Sequence, residues 1–223
     1  MSTYVMSDIH GCLRAYRLML EKIEFSDTDH LYIIGDVIDR GEDGITILRD
    51  IMNRKNVTML LGNHERMMLD ALSELELPED EYRPHFEHWC INGSSSTLDQ
   101  LSKLSEDEFF DIIGFLLDLK VRMDIEVNGR KFHLVHGVPG DKDASEEDLI
   151  WGRAGKYDEP YYADRTVISG HTPTFHYHDD GSTDMWHGNG VIVIDCGCFI
   201  ERVDGKLGCL RLDDMQEFYT SQY

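Results

Sequence analysis

Three short apolar runs, each closed by a polar loop and followed by a helical stripe, recur through the first third of the chain. "TYVM" leads into "SDIHG", "HLYIIG" into "DVIDRG" and "VTMLLG" into "NHE". Behind them come Leu13, Tyr16, Leu20 and Ile23, then Ile45, Leu48, Ile51 and Met52, then Met67, Met68, Ala71, Leu72 and Leu75, at helical spacing. Asp8, Asp36 and Asn63 stand 28 and then 27 residues apart, about the length of a βαβ unit. Consecutive crossovers of that kind are right-handed and keep their strands parallel. All three polar loops therefore leave the same edge of one sheet, the edge at which open α/β sheets bind ligands. The chain is predicted to be α/β.

The rest of the sequence adds a second pattern. Residues 74–120 read as helical, with Ser105 and Glu108 as a capping box and "ELELPEDEYRP" as a surface loop. From residue 121 the period becomes two, and Asn128-Gly129 is a hairpin turn signal. Its return strand ends in "VHG". "TVISGHTP" and "VIVIDCG" are further strands, "RVDGKLGCLRL" is a hairpin turning at Asp204-Gly205, and "GDKDASEED" and "HDDGSTDMWHGNG" are loops. No domain boundary interrupts the pattern, so one catalytic domain over 1–223 is expected.

Composition narrows the partners. With 43 Asp and Glu against 21 Lys and Arg, the net charge is −22, which disfavours nucleic acid and anionic membranes. No run approaches the roughly 20 apolar residues of a membrane span. "MSTYVMSDIHG" lacks a signal peptide's basic start and apolar core. A cytoplasmic protein is expected. Its five cysteines include no CxxC pair, so neither a disulfide framework nor a thiolate zinc site is implied, and they read as small, mostly buried side chains.

The polar residues at the strand ends are Asp8, His10, Asp36, Asp39, Arg40, Asn63, His64, His136 and His171. Carboxylate, imidazole and amide oxygen are ligands of borderline-to-hard divalent metals. Asp8, His10, Asp36, Asn63, His136 and His171 are too many ligands for one catalytic ion and enough for two that share a carboxylate. Asp36, on the central loop, is the natural bridge. Two such cations can hold a water between them, lower its pKa toward neutrality and bind phosphoryl oxygens. Arg40 is placed to grip a phosphate through two parallel hydrogen bonds. His64 is placed to protonate a leaving alkoxide, with Asp39 as the carboxylate that supports its charge. Taken singly, each of these residues could be a helix cap or a core residue. In order, at near-equal spacing and each directly after an apolar run, they point to a two-metal site.

These motifs resemble the metallophosphoesterase superfamily, specifically PPP-type serine/threonine phosphatases of the small bacterial and phage lambda phosphatase group. "GNHERMMLDALS", "HWCINGSSSTL", "LIWGR", "FHLVHG", "SGHTP" and "VIDCG" extend the likeness over nearly the whole chain. The resemblance implies two mixed β-sheets packed face to face and flanked by helices. It implies a first metal on Asp8, His10 and Asp36, and a second on Asp36, Asn63, His136 and His171. It makes His64 the general acid, Asp39 its partner, and Arg40 and Arg153 the phosphate-binding arginines, with Asn63 and His64 also facing substrate. Ser7 stands where the group usually has Gly, Ile38 where it has Val, and "HGVPG" where it has "HGG" or "HAG".

The function expected on this basis is hydrolysis of phosphate monoesters, phosphoserine and phosphothreonine in proteins or a small phosphoester, by a metal-bridging hydroxide in one step. The alternatives are a dinucleoside tetraphosphate hydrolase with the same metal loops and a scaffold that has kept the fold without catalysis. Manganese is the expected metal in vitro, with iron or zinc as alternatives. His85 and His88, three apart beside Trp89, read as helix surface rather than as a substrate wall.

Overall fold

The computed structural model describes residues 1–78, 80–138 and 144–223. The three repeated units become β1 (Thr3–Met6), β2 (His30–Ile33) and β3 (Val57–Met59), parallel and adjacent in that order. Each is followed by its helix: α1 (Leu13–Lys22), α2 (Gly44–Met52) and α3 (Asn63–Ser73). The predicted middle helices are α4 (Pro84–Ile91), α5 (Ser95–Leu101) and α6 (Glu106–Leu117). The Ser105–Glu108 capping box closes α6 as expected.

A second sheet follows. It contains β4 (Arg122–Val127) and β5 (Arg130–Val135), joined by the Asn128-Gly129 turn, then β6 (Thr166–Ser169), β7 (Trp186–His187) and β8 (Val191–Val193). Its order is β4-β5-β6-β8-β7, with β5, β6 and β8 parallel and the two outer strands antiparallel. A short helix, α7 (Glu146–Trp151), lies between β5 and β6. The last strands, β9 (Leu207–Arg211) and β10 (Gln216–Thr220), return to the first sheet and complete it as β10-β9-β1-β2-β3.

Alternation along the strands builds the layers. Val5, Ile34, Leu60 and Leu210 of the first sheet bury against Phe132, Leu134, Ile168 and Ile192 of the second. The opposite face of the first sheet, with Tyr4, Met6, Leu31 and Ile33, packs on the helical layer. Val135, Val167 and Val193 turn outward toward Leu149 of α7. Burying each such aliphatic side chain stabilises the fold by about 1.5–3 kcal/mol. Two mixed sheets packed face to face and flanked by helices are what the resemblance implied.

Two predicted elements are corrected. The stretch "HDDGSTDMWHGNG", read as a loop, contains the two-residue strand β7, which pairs back on β8. No hairpin turns at Asp204-Gly205. Glu201–Val203 forms a single 3₁₀ turn capped by Asp204 at φ 52°, and residues 209–211 pair antiparallel with β1 instead. The run before Asp204 is too short to make a strand. The open edge of β1 supplies a better partner, and the hairpin forms one step later, between β9 and β10. Residues 139–140 of "HGVPG", 140–143 of "GDKDASEED" and residue 79 of "ELELPEDEYRP" lie outside the described residues.

Candidate active site

The site residues sit where the parallel strands end. Asp8 and His10 follow β1, Asp36 and Asp39 follow β2, and Asn63 and His64 open α3 directly behind β3. His136 follows β5 and His171 follows β6. Because β2 lies between β1 and β3, Asp36 stands between the other two loops. Asp8, His10, Asp36, Asp39, Asn63, His64 and His136 are all buried.

The backbone there is unusual. Among the described residues, ten non-glycine positions have positive φ, and six of them are Asp8, His10, Asp36, Asp39, Arg40 and His171. A left-handed conformation costs a non-glycine residue about 1–3 kcal/mol and persists only where its surroundings hold it. At the Asp36 loop the hold is Glu65, a buried carboxylate on α3. It accepts N–H bonds from Asp36 at 2.9 Å, Val37 at 2.8 Å and Gly62 at 3.1 Å. Its pKa is raised, first by burial and then by the nearby Asp36 charge. Glycine is required beside this contact. A Cβ on Gly35, at φ +93°, would lie 2.6 Å from Cα of Gly62 and 2.8 Å from Nδ1 of His136, and one on Gly62 would run into the Asp36 carboxylate.

One oxygen of Asp36 gathers three imidazoles. Its Oδ2 lies 3.3 Å from Nε2 of His136, 3.6 Å from Nε2 of His10 and 3.9 Å from Nε2 of His64. Backbone carbonyls fix two of these rings: His10 Nδ1–H donates to Ile38 O at 3.0 Å, and His136 Nδ1–H donates to Ile34 O at 2.8 Å. In a neutral ring the other nitrogen is then a lone pair aimed at oxygen. Nε2 of His136 also lies 2.9 Å from Oδ1 of Asn63, and Nδ1 of His171 approaches the same oxygen at 2.9 Å. Asp8 completes the group, its Oδ1 4.0 Å from Nε2 of His10, and it accepts from Ser7 Oγ and from the His171 N–H.

So many acceptors cannot converge without positive charge. Burial and neighbouring charges pull the ionisable groups here in opposite directions. Burial opposes the charge on His136, yet Asp36 holds its pKa up at about 10. Burial would raise Asp36, but His136 and His64 keep it well below the usual carboxylate range. Burial lifts Asp8 to about 6 and pushes His171 down to about 3. Two sets of donors, His10 with Asp36 and His64, and Asp36 with His136 and His171, each lie within 4.8 Å of one another. Nε2 of His64 and of His171 are buried with no hydrogen-bond partner among the described residues. Oxygen and imidazole donors arranged in this way fit divalent cations, with Asp36 common to both groups.

His64 is common ground between this cluster and a second network. Its Nδ1 is 2.7 Å from Oδ2 of Asp39. That carboxylate also accepts from Nε1–H of Trp89 at 2.8 Å and from Oγ1–H of Thr97 at 2.6 Å. The backbone N–H of His64 donates to Oδ1 of Asp36. The two arginines are exposed. Nη1 of Arg40 reaches Nε2 of His10 at 2.8 Å, its guanidinium lies 4.4 Å over the Phe199 ring, and Nη1 of Arg153 donates to Thr172 Oγ1 at 3.0 Å.

Sequence reading assigned no role to Glu65, Thr97 or Asp195, and used Trp89 only to place its neighbours. Glu65 stands at the third helical position behind Gly62, where a carboxylate can accept the N-cap N–H, but glycine has no side chain to complete a capping box, so the sequence signal was only half present. Asp195 ends β8 as Asp8 and Asp36 end β1 and β2. It is buried, accepts the Gly197 N–H at 2.9 Å, and its pKa is raised well above normal by burial and then by Asp8. Trp89 and Thr97 carry no local signal for their contact with a loop about 50 residues away.

A family model for calcineurin-like phosphoesterases matches residues 1–198. The chain belongs to that family, which implies divalent metal ions. Among curated relatives, a symmetrical bis(5'-nucleosyl)-tetraphosphatase of Buchnera aphidicola is 45% identical over 67 residues, 29% of this chain and 24% of that protein. The chain thus spans about a quarter of that relative's length. Serine/threonine-protein phosphatase 2 of Salmonella typhimurium is 30% identical over 160 residues, 67% of each chain. A metallophosphoesterase structure from Sphaerobacter thermophilus matches with a TM-score of 0.59 at 16% identity, covering 99% of this chain and 87% of its own, a likeness of fold. No helix among the described residues is long and apolar enough to cross a membrane.

Proposed function

We propose that the chain hydrolyses dinucleoside tetraphosphates, splitting the central phosphoanhydride into two nucleoside diphosphates. The observation that carries this reading is the 45% identity with a symmetrical tetraphosphatase. It extends the expectation of a phosphoester hydrolase and moves the substrate from a phosphoprotein to a nucleotide. The protein-phosphatase reading is the second one, favoured by the Salmonella relative that matches over two thirds of both chains.

The residues divide the work. Asp8, His10 and Asp36 would hold one divalent cation, and Asp36, Asn63, His136 and His171 the other. Bound there, such ions supply Lewis acidity toward phosphoryl oxygens and an acidified water. Arg40 and Arg153 reach out from the rim to bind non-bridging phosphate oxygens, which guanidinium forks match well. His64 delivers a proton from Nε2 to the leaving oxygen. Asp39 accepts from Nδ1, which fixes the ring and stabilises the imidazolium. Trp89 and Thr97 hold Asp39 in turn. The test is a comparison of turnover of diadenosine tetraphosphate and of a phosphoserine peptide by manganese-loaded protein. A kcat/KM for the dinucleotide far above that for the peptide is expected, and the reverse order would replace the first reading by the second.

A further inference from the structure

Beside the metal-ligand cluster lies a cavity of about 430 Å³ between α3, α4 and α7. It is within the size range of small-molecule sites, and none of its lining residues is one of the candidate metal ligands. Its floor is apolar, formed by the buried side chains of Met67 and Ile150. Its wall is aromatic: the His88 ring stacks on Trp151, with centroids 5.7 Å apart and planes at 29°. The Trp151 ring also meets His171 edge-on, at 5.8 Å and 87°. One ring therefore separates the cavity from the cluster. Acceptors stand around the opening, at Asp70 and Glu147, while Arg66 is tied to Glu146 at 2.6 Å. His85 and His88, exposed on the surface of α4 as expected, also line this cavity.

We infer that this cavity is a nucleobase subsite, taking the base of one nucleoside whose phosphate chain enters the metal-ligand cluster. It rests on the nucleotide reading above and names where that substrate's base is held. A flat heterocycle matches an aromatic wall over an apolar floor, and a base with an exocyclic amine supplies the N–H donors that Asp70 and Glu147 accept. Stacking a base on an aromatic side chain is worth about 5- to 150-fold in affinity. A basic peptide side chain would pair with the exposed carboxylates, worth no more than about fivefold, and a guanidinium would also stack on the ring, worth about two- to fivefold at an exposed site. The larger reach of base stacking makes a base the occupant inferred here, with the peptide as the competing outcome of the test.

Calorimetric titration of manganese-loaded protein with hydrolysis-resistant α,β-methylene ADP and with base-free methylenediphosphonate tests the subsite. The nucleotide analogue is expected to bind the parent about tenfold tighter or more. Trp151→Ala should remove most of that ratio and His88→Ala part of it. If Trp151→Ala does not fold, His88→Ala carries the test. Equal affinities in the parent, or a ratio that survives in the folded variants, overturn the inference. So does an arginine-bearing phosphopeptide whose affinity falls in Asp70→Asn and Glu147→Gln while the nucleotide shows no base advantage. Failure to cleave diadenosine tetraphosphate, with the base advantage intact, defeats the proposed reaction and leaves the subsite standing. Cleavage with no base advantage does the opposite.

Discussion

The floor of the site and the wall of the neighbouring cavity are built in opposite ways. The floor comes from strand ends, is buried, and is held by left-handed backbone that Glu65 and paired glycines keep in place. The wall comes from helix surfaces, and His85 and His88 are exposed side chains on α4. The difference separates two tasks. Converging charged donors have to be fixed in place before anything binds, because their mutual repulsion would otherwise spread them apart. A surface that selects a leaving group needs only shape and a few contacts, and can vary without disturbing the chemistry.

Substitutions can break or sharpen that contrast. The largest effect is expected from Asp36→Asn, which removes a donor from both metal groups. Activity should fall at least as far as the about 10²–10⁴-fold lost with a general acid, and bound metal, measured by elemental analysis, should drop below two ions per chain. A variant with two ions and the parental rate would break the comparison. His64→Asn comes next, with metal content retained and kcat on a phosphoserine peptide lower by about 10²–10⁴-fold. The loss should be smaller on nitrophenyl phosphate, whose leaving group needs no proton, and equal losses on both would remove His64 from proton delivery.

Glu65→Gln should follow with a loss of about 10–100-fold in metal affinity, the scale seen for groups that orient ligands. Metal titration by calorimetry checks it, and unchanged affinity would mean that the Asp36 loop holds itself. The smallest effect belongs to the wall. His85→Ala should leave stability within about 0.5 kcal/mol, read as an unmoved denaturant midpoint. A larger shift would show the wall to be part of the framework.

The same contrast explains what was legible in the sequence. Repeated runs with polar loops gave the parallel β1-β2-β3 core and the positions of Asp8, Asp36 and Asn63, because βαβ geometry forces such loops to one edge. His136 could be read as a core histidine from its parity with Phe132 and Leu134. The structure places it at the end of that buried row, against Ile34 O. The pairing of β9 with β1 was not legible, since an unpaired strand edge leaves no mark on a partner some 200 residues away. Nor was the hold of Trp89 and Thr97 on Asp39, which depends on how α4 and α5 dock. Cys90 is exposed while the other four cysteines are buried, in line with a mostly buried set.

The pairing of Tyr4–Met6 with Cys209–Arg211 has a consequence for how the molecule is made. During synthesis at the ribosome, β1 can meet β2 early, but its other flank stays bare until β9, some 200 residues further along, has emerged. Contacts so distant along the chain close slowly, and an unpaired strand invites association with other nascent chains in the meantime. The acidic character of the chain, at −22, sets a repulsion against that association while the sheet waits for its last two strands.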